Sequence, residues 1–334
     1  MSDIDKKTKN VSIILCTYNG ARFLREQLDS IVNQTYPIYE LIIQDDCSTD
    51  STESIAKEYV EKFPFIKFVK NETNKGINLN FFSAISRATG EYIAISDQDD
   101  IWELNKIEKQ IDCIGDHLFC AGLTKPFSED GSPIKFDARI PNYHLLRLLY
   151  LGPFAGHTFL FSRRLLEKLP DFSDIISARC YDAILSIVAG AFNDIVYINQ
   201  VLVNQRRYIT AATYTIPTDD KITLGSVIKY IFNSLKLYRE LKPIIKERFK
   251  CTLRFLERID SPEKELQDAI YMSKLQSSSS FMDLCRLSVF CIRNRDKIFY
   301  IAGNRGIIAV LRAIYFPISS STAGTCTPRS SNTR

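Results

Sequence analysis

Three carboxylates fall within four residues at Asp97, Asp99 and Asp100, directly after the apolar run Tyr92-Ile93-Ala94-Ile95. Acids this close repel one another and lose solvation at the end of a buried segment, so they need compensation. A hard divalent cation, Mg²⁺ or Mn²⁺, supplies it when held by one or two carboxylates and completed by a substrate's phosphates. The spacing therefore points to a metal-bound phosphate ester or diphosphate. The competing reading is a solvated acidic loop. With 39 acidic residues in 334, a D-x-D triplet is expected about once by chance, and Asp3-Ile4-Asp5 is one, set in a polar stretch. Position separates the two. Asp97 and Asp99 follow a strand-like run, where open α/β sheets gather their ligands.

The elements that must carry this turn follow from periodicity. Val11 to Leu15 is β-branched and short, a first strand, and Thr17-Tyr18-Asn19-Gly20 turns the chain after it. Phe23, Leu24, Leu28, Ile31 and Val32 recur at helical spacing until Pro37. Glu40 to Gln44 is a second strand ending in Asp45-Asp46, and Ser48 to Glu53 supplies N-cap residues for a helix over 52–62. Phe65 to Lys70 is a third strand, 78–88 a helix and Tyr92 to Ser96 a fourth strand. Strands alternating with helices through short links predict parallel strands and right-handed crossovers, an α/β sheet of nucleotide-binding type.

Four ordered segments add a resemblance. Val11-Ser12-Ile13-Ile14-Leu15-Cys16-Thr17-Tyr18-Asn19-Gly20, Gln34-Thr35-Tyr36, Glu40 through Asp50, and Ser96-Asp97-Gln98-Asp99-Asp100-Ile101-Trp102 resemble family 2 glycosyltransferases. The likeness is to bacterial rhamnosyltransferase-like members that build surface polysaccharides such as O-antigen or capsule, and it spans roughly residues 10–210. It implies a GT-A fold, Rossmann-like with a mostly parallel sheet flanked by helices. It also implies a divalent metal, Mg²⁺ or Mn²⁺, a dTDP- or UDP-linked sugar donor, and transfer of rhamnose or another hexose to a glycan or lipid-linked acceptor.

The resemblance distributes roles. Tyr18 would line the nucleotide pocket, with Thr17 and Asn19 shaping its turn, and Asp46 would accept from the imide N–H of a uracil or thymine. Asn74, Gly76 and Asn80 would flank the diphosphate and ribose, although an ordinary helix start also accounts for them. Asp97 would approach the ribose or a metal-bound water, and Asp99 would ligate the metal, with Asp100 a third acid. Trp102 would stack or pack. Arg179-Cys180-Tyr181-Asp182 matches the family's second acidic segment. Asp182 is therefore the expected base for inverting transfer, unless it only caps a 182–190 helix. Gly152 to Phe161 resembles an acceptor-pocket stretch in which His157 could bond a sugar hydroxyl. Arg206 fits the family's late arginine as a donor-binding residue, whereas Tyr208 stands where a histidine is expected.

Composition limits the alternatives. No run approaches 18 consecutive apolar residues, Met1 to Lys7 has no apolar signal core, and the nine cysteines form no C-x-x-C pair. These features predict reduced thiols in a cytoplasmic protein, peripheral at most to the inner face of a membrane. Residues 1–220 carry a net charge of −7 and residues 221–334 one of +11. The expected organisation is a polar tail over 1–10, a catalytic domain over 11–217, a helical basic region over 218–318 and a disordered tail over 319–334. Val227, Ile228, Ile231, Leu235 and Tyr238 form one apolar face there, and the segment 281–316 mixes apolar runs with arginines. Such a region fits either a helical cap or an anionic membrane interface. No nucleic-acid motif accompanies the basic charge. A haloacid-dehalogenase-type phosphatase, a nucleotidyltransferase and a non-catalytic nucleotide-sugar binding module are the competing functions. The first two lack their companion motifs, and the last has no use for Asp182.

Overall fold

The computed structural model describes residues 8–209 and 242–299, together with 310, 313 and 314. The apolar helical face at Val227–Tyr238 and the tail from 319 onward lie outside the described residues, as do residues 1–7 and 218–241 and most of 300–318. The described chain packs into two compact units. One comprises residues 8–140, 154–167 and 194–209, and the other comprises 141–153, 168–193 and the described residues from 242 onward. The chain thus leaves the first unit twice before residue 217, where sequence reading placed one uninterrupted domain.

The first unit is built on an eight-stranded sheet. Its strands are β1 (Val11–Thr17), β2 (Glu40–Asp45), β3 (Ile66–Lys70), β4 (Tyr92–Ser96), β5 (Ile101–Trp102), β6 (Phe119–Ser128), β7 (Leu160–Ser162) and β8 (Ile195–Arg207). They lie side by side as β3-β2-β1-β4-β7-β6-β8-β5. β1, β2, β3 and β4 are mutually parallel, as alternation with helices α1 (Leu24–Val32), α2 (Thr52–Lys62) and α3 (Gly76–Arg87) requires. β1 and β2 are buried along their whole length, the mark of parallel strands covered on both faces.

The other half departs from pure parallel order. β7 runs antiparallel to both β4 and β6, and β5 runs antiparallel to β8. The sheet is a Rossmann-type, mostly parallel GT-A arrangement with a reversed strand at its middle. One face is sealed by Leu24, Leu28 and Ile31 of α1, by Ile55 and Tyr59 of α2, and by Ile107, Ile111 and Ile114 of α4 (Lys106–Ile114). Trp102 belongs to this core and is buried, so it packs rather than stacking on a ligand. The capping at α2 is also local but shifted. Asp50 Oδ1 accepts from Thr52 N at 3.0 Å, and Ser51, the N-cap, makes no side-chain cap bond.

The short helix α6 (Arg164–Glu167) completes the first unit. The second unit is helical: α5 (Leu145–Leu148), α7 (Tyr181–Ala191), a helix α8 over 242–256, α9 (Lys264–Ser277), α10 (Phe281–Arg293) and α11 (Arg295–Ile298). Cys16, Cys47, Cys113, Cys120, Cys251, Cys285 and Cys291 are free thiols. Cys180 is disulfide-bonded, which corrects the expectation that every cysteine is reduced.

A candidate nucleotide and metal site at the carboxyl ends of the parallel strands

Three turns converge where β1, β2 and β4 end. The first, Thr17 to Gly20, is tied to the second through Thr17 Oγ1, which donates to Asp45 Oδ1 at 2.8 Å, and through Asn19 N, which donates to Ser48 Oγ at 2.8 Å. Asn19 has φ 48°, a left-handed conformation that asparagine tolerates better than most residues. The first turn is tied to the third through Gln98. Its Oε1 accepts from Tyr18 N at 2.9 Å and its Nε2 donates to Tyr18 O at 3.2 Å. A Cβ on Gly20 would stand 2.2 Å from Gln98 Oε1, so a larger residue here would have to push Gln98 off the Tyr18 main chain. The Tyr18 ring itself is half-exposed, as a platform for a ligand would be.

Asp46 is placed at the end of β2 as expected, but its carboxylate is already engaged. Oδ1 accepts from Asn71 Nδ2 at 2.8 Å and from Lys75 N at 2.7 Å, and Oδ2 accepts from Gly76 N at 2.8 Å. A carboxylate offers about four lone-pair positions, so at most one remains for a base. Asn80 is buried in an amide chain. Its Oδ1 accepts from Asn71 Nδ2 at 2.8 Å, and its Nδ2 donates to Gln44 O at 3.2 Å. Asn74 Nδ2 donates to Asp46 O at 3.2 Å, and Gly76 has φ +77° where the chain enters α3. Asn80 and Asp46 thus form the floor of this end of the sheet. Asn71, which sequence reading missed, is the hub that joins them.

The acidic turn after β4 separates its three carboxylates. Asp97 Oδ2 and Asp100 Oδ2 lie 3.1 Å and 2.9 Å from His157 Nδ1, and His157 Nε2 lies 2.9 Å from Thr124 Oγ1 on β6. Asp97, Asp100 and His157 offer ligand atoms within 4.8 Å of one another. Asp99 points elsewhere. Its Oδ2 accepts from the Tyr208 hydroxyl at 2.9 Å, and Tyr208 rests its ring on Phe23 with centroids 5.2 Å apart. Burial lifts the Asp99 carboxyl to about 6; Asp100 and Asp97 add to the rise, while Tyr208 and His157 oppose it. Burial would lower the His157 imidazole, but the charges of Asp100 and Asp97 outweigh it and raise it to about 10, so a cation seated here would take the place of the ring's Nδ1 proton.

This corner fits a divalent cation on its own chemistry. A single Nδ1 hydrogen cannot serve two carboxylates at once, and among the described residues the buried Asp100 Oδ2 has no partner besides His157. Two carboxylates and an imidazole converging on one point are a donor set for such an ion. The sequence left His157 open between bonding a sugar hydroxyl and a structural role; the structure places it against the acids. No spacing rule could have found it, because the sheet brings residue 157 to residue 100.

Arg206 holds the same turn from β8. Its backbone N donates to Asp100 Oδ1 at 3.0 Å and its Nε to Asp99 O at 3.0 Å. Nη2 donates to Glu26 at 2.7 Å, Nη1 donates to Glu129, and the guanidinium lies over the rings of Phe23 and Phe127. The side chain is buried. Arg206 therefore positions the acids and has its guanidinium committed to protein partners, where sequence reading had it grip the donor. Asp182 lies in the other unit, in the first turn of α7, where its Oδ1 accepts from Ala183 N at 2.7 Å.

With this geometry in hand, comparisons with known proteins are informative. Residues 12–170 match the model of glycosyl transferase family 2. TuaG of Bacillus subtilis strain 168, named for teichuronic acid biosynthesis, is 34% identical over 126 residues, covering 37% of this chain and 50% of TuaG. The dTDP-rhamnosyl transferase RfbG of Shigella flexneri is 40% identical over 105 residues, covering 30% of this chain and 36% of RfbG. The chain thus spans half or less of these relatives' own length. The crystal structure of S. aureus TarS 1-349 in complex with UDP superposes with a TM-score of 0.54 at 17% identity, covering 93% of this chain and 89% of that one, which shows a shared fold.

Proposed function

We propose, from the match of residues 12–170 to the glycosyl transferase family 2 model, that the chain transfers a sugar from a nucleotide-diphosphate donor to a glycan or lipid-linked acceptor, with inversion at the anomeric carbon. The observation that carries this reading is the cluster of Asp97, Asp100 and His157 beside the Tyr18 turn. The half-exposed Tyr18 ring is the platform proposed for the base, and the backbone around Asp46 and Gly76 supplies the floor. The name of RfbG favours a dTDP-linked donor and rhamnose, with UDP-linked hexoses next.

Asp97, Asp100 and His157 would hold the metal, and an imidazole among the donors favours Mn²⁺ over Mg²⁺. When bound, the cation supplies Lewis-acid stabilisation of the departing diphosphate. The remaining work falls to the chain. Arg206 and Tyr208 fix the acidic turn so that its carboxylates do not reorient as charge develops. Asp182 is the proposed general base, taking the proton from the acceptor hydroxyl as the glycosidic bond forms.

The test is release of nucleoside diphosphate from UDP-, dTDP- and GDP-sugars with Mn²⁺, Mg²⁺ or chelator. Release with one donor class that stops on chelation supports the reading. No metal-dependent release from any donor would remove it.

A further inference from the structure

Helix α10 is apolar on two sides. Its inner side, at Leu287 and Cys291, is buried, and α10 packs along α9. Its outer side presents Phe281, Cys285 and Val289 at intervals of four residues, with Met282 beside them. Phe281 is 75% exposed, Met282 62% and Val289 47%, and Cys285 is exposed as well. One apolar stripe is enough to dock a helix onto a core. The second stripe therefore needs another explanation. On α9, Tyr271 is also exposed and packs its ring against Phe290 with centroids 5.5 Å apart, which widens the patch.

Charge identifies the occupant. On a helical projection Arg286 and Arg293 follow directly on Met282 and Val289, so they border the stripe. Both are exposed, and Arg286 pairs with the neighbouring Asp283 at 3.0 Å. Lys250 of α8 is exposed and paired with Glu247, Lys246 is partly exposed, and residues 221–334 carry a net charge of +11. A second copy of this face would bring arginines against arginines, since a two-fold interface apposes the same patch to itself. An anionic bilayer meets both features at once. Apolar side chains enter the acyl boundary while the arginine stems lie along it and their heads reach the phosphates.

We propose that the outer face of α10 docks this chain onto the surface of an anionic phospholipid bilayer. The face lies wholly in the helical unit, so the proposal stands whether or not the sugar-transfer reading does. Its depth is that of an interfacial helix: no helix among the described residues is long and apolar enough to cross a membrane.

The experiment is co-sedimentation of the full chain with vesicles of phosphatidylcholine alone or with one third phosphatidylglycerol, at low and high salt. The expected result is pelleting with the anionic vesicles that weakens as salt rises. Changing both Met282→Asp and Val289→Asp should reduce partitioning about tenfold. Arg286→Glu alone should reduce it roughly fivefold. Circular dichroism of the variants, and any nucleotide release they catalyse, should be unchanged. Equal pelleting with neutral and anionic vesicles overturns the proposal, as does wild-type pelleting by the double variant. A wild-type dimer that the double variant dissolves also overturns it, by giving the face to self-association. Absence of nucleotide release in the wild type would count against sugar transfer and leave the vesicle result standing.

Discussion

Lys106 offers a quantitative test of how the candidate site is supported. It opens α4, four residues after Trp102, and is completely buried. Its Nζ lies 3.7 Å from the centroid of the Trp102 ring and has no hydrogen-bond partner among the described residues. Burial pushes this amine down from 10.5 to about 7, with Cys120 acting weakly in the opposite direction. The unfolded chain keeps this proton to about pH 10, so between about pH 7 and 10 it binds more protons than the folded chain. Stability therefore rises with pH across that interval. At about 1.4 kcal/mol per pKa unit, burying the amine costs about 4 kcal/mol at neutral pH, offset by up to about 2 kcal/mol of attraction to the indole. Lys106→Met keeps the length of the side chain and removes the charge, so the variant should be more stable by about 2–4 kcal/mol at pH 7. From about pH 7 to 9 the wild type should gain about 2 kcal/mol that the variant does not. The chain's single tryptophan is the ring beneath the amine, so urea titration followed by its fluorescence reports this unit without interference from the helical one. A variant less stable than wild type at pH 7, or one that keeps the wild-type rise, would refute an uncompensated amine.

Three further outcomes are expected. Asp182→Asn should abolish transfer to acceptor while donor hydrolysis and donor binding persist; full transfer would exclude Asp182 as the base. His157→Leu leaves buried Asp100 without its neighbouring cation, so unit stability measured in chelator should fall by about 3–5 kcal/mol, with part of the loss recovered in Mn²⁺. A loss equal with and without Mn²⁺ would show that no bound ion shares these carboxylates. Glu40, at the start of β2, is lifted by burial but held at about 2 by Lys67, Ser12 and Thr89. A carboxyl lowered in the folded state contributes above its unfolded value, near 4, and that contribution is lost as pH falls from about 4 to 2. Glu40→Gln should flatten this acid limb by about 1–2 kcal/mol, a figure discounted because Lys67 is exposed. An unchanged limb in thermal melts would place the acid sensitivity elsewhere.

What could be read from the sequence depended on the range of the signal. β1, β2 and β4 announce themselves through β-branched runs, and α7 through a long apolar stretch after Asp182. These are local patterns. β7 has three residues and β5 two, too few for a period to show, so the reversal in the middle of the sheet was hidden. The acidic turn was legible because three carboxylates are conspicuous, but their division of labour was not. Asp100 joins His157 and Asp97, and Asp99 turns to Tyr208, because β8 and the His157 turn arrive from distant parts of the chain. The one available clue to His157 was chemical: three crowded acids demand a cationic or metal-ligating neighbour, and the chain has only three histidines. The engagement of Asp46 by three donors was equally out of reach, since two of them are backbone amides whose direction no residue type encodes.

Gln98 occupies the variable position of the acidic triplet, the one that sequence patterns treat as filler. Its paired hydrogen bonds to the main chain of Tyr18, and its close approach to Gly20, make the Tyr18 turn and the acidic turn a single mechanical part. A ligand that touches both therefore meets a surface whose internal freedom was surrendered during folding rather than at the encounter. Less ordering remains to be done on association. Movement in one turn must also be transmitted to the other.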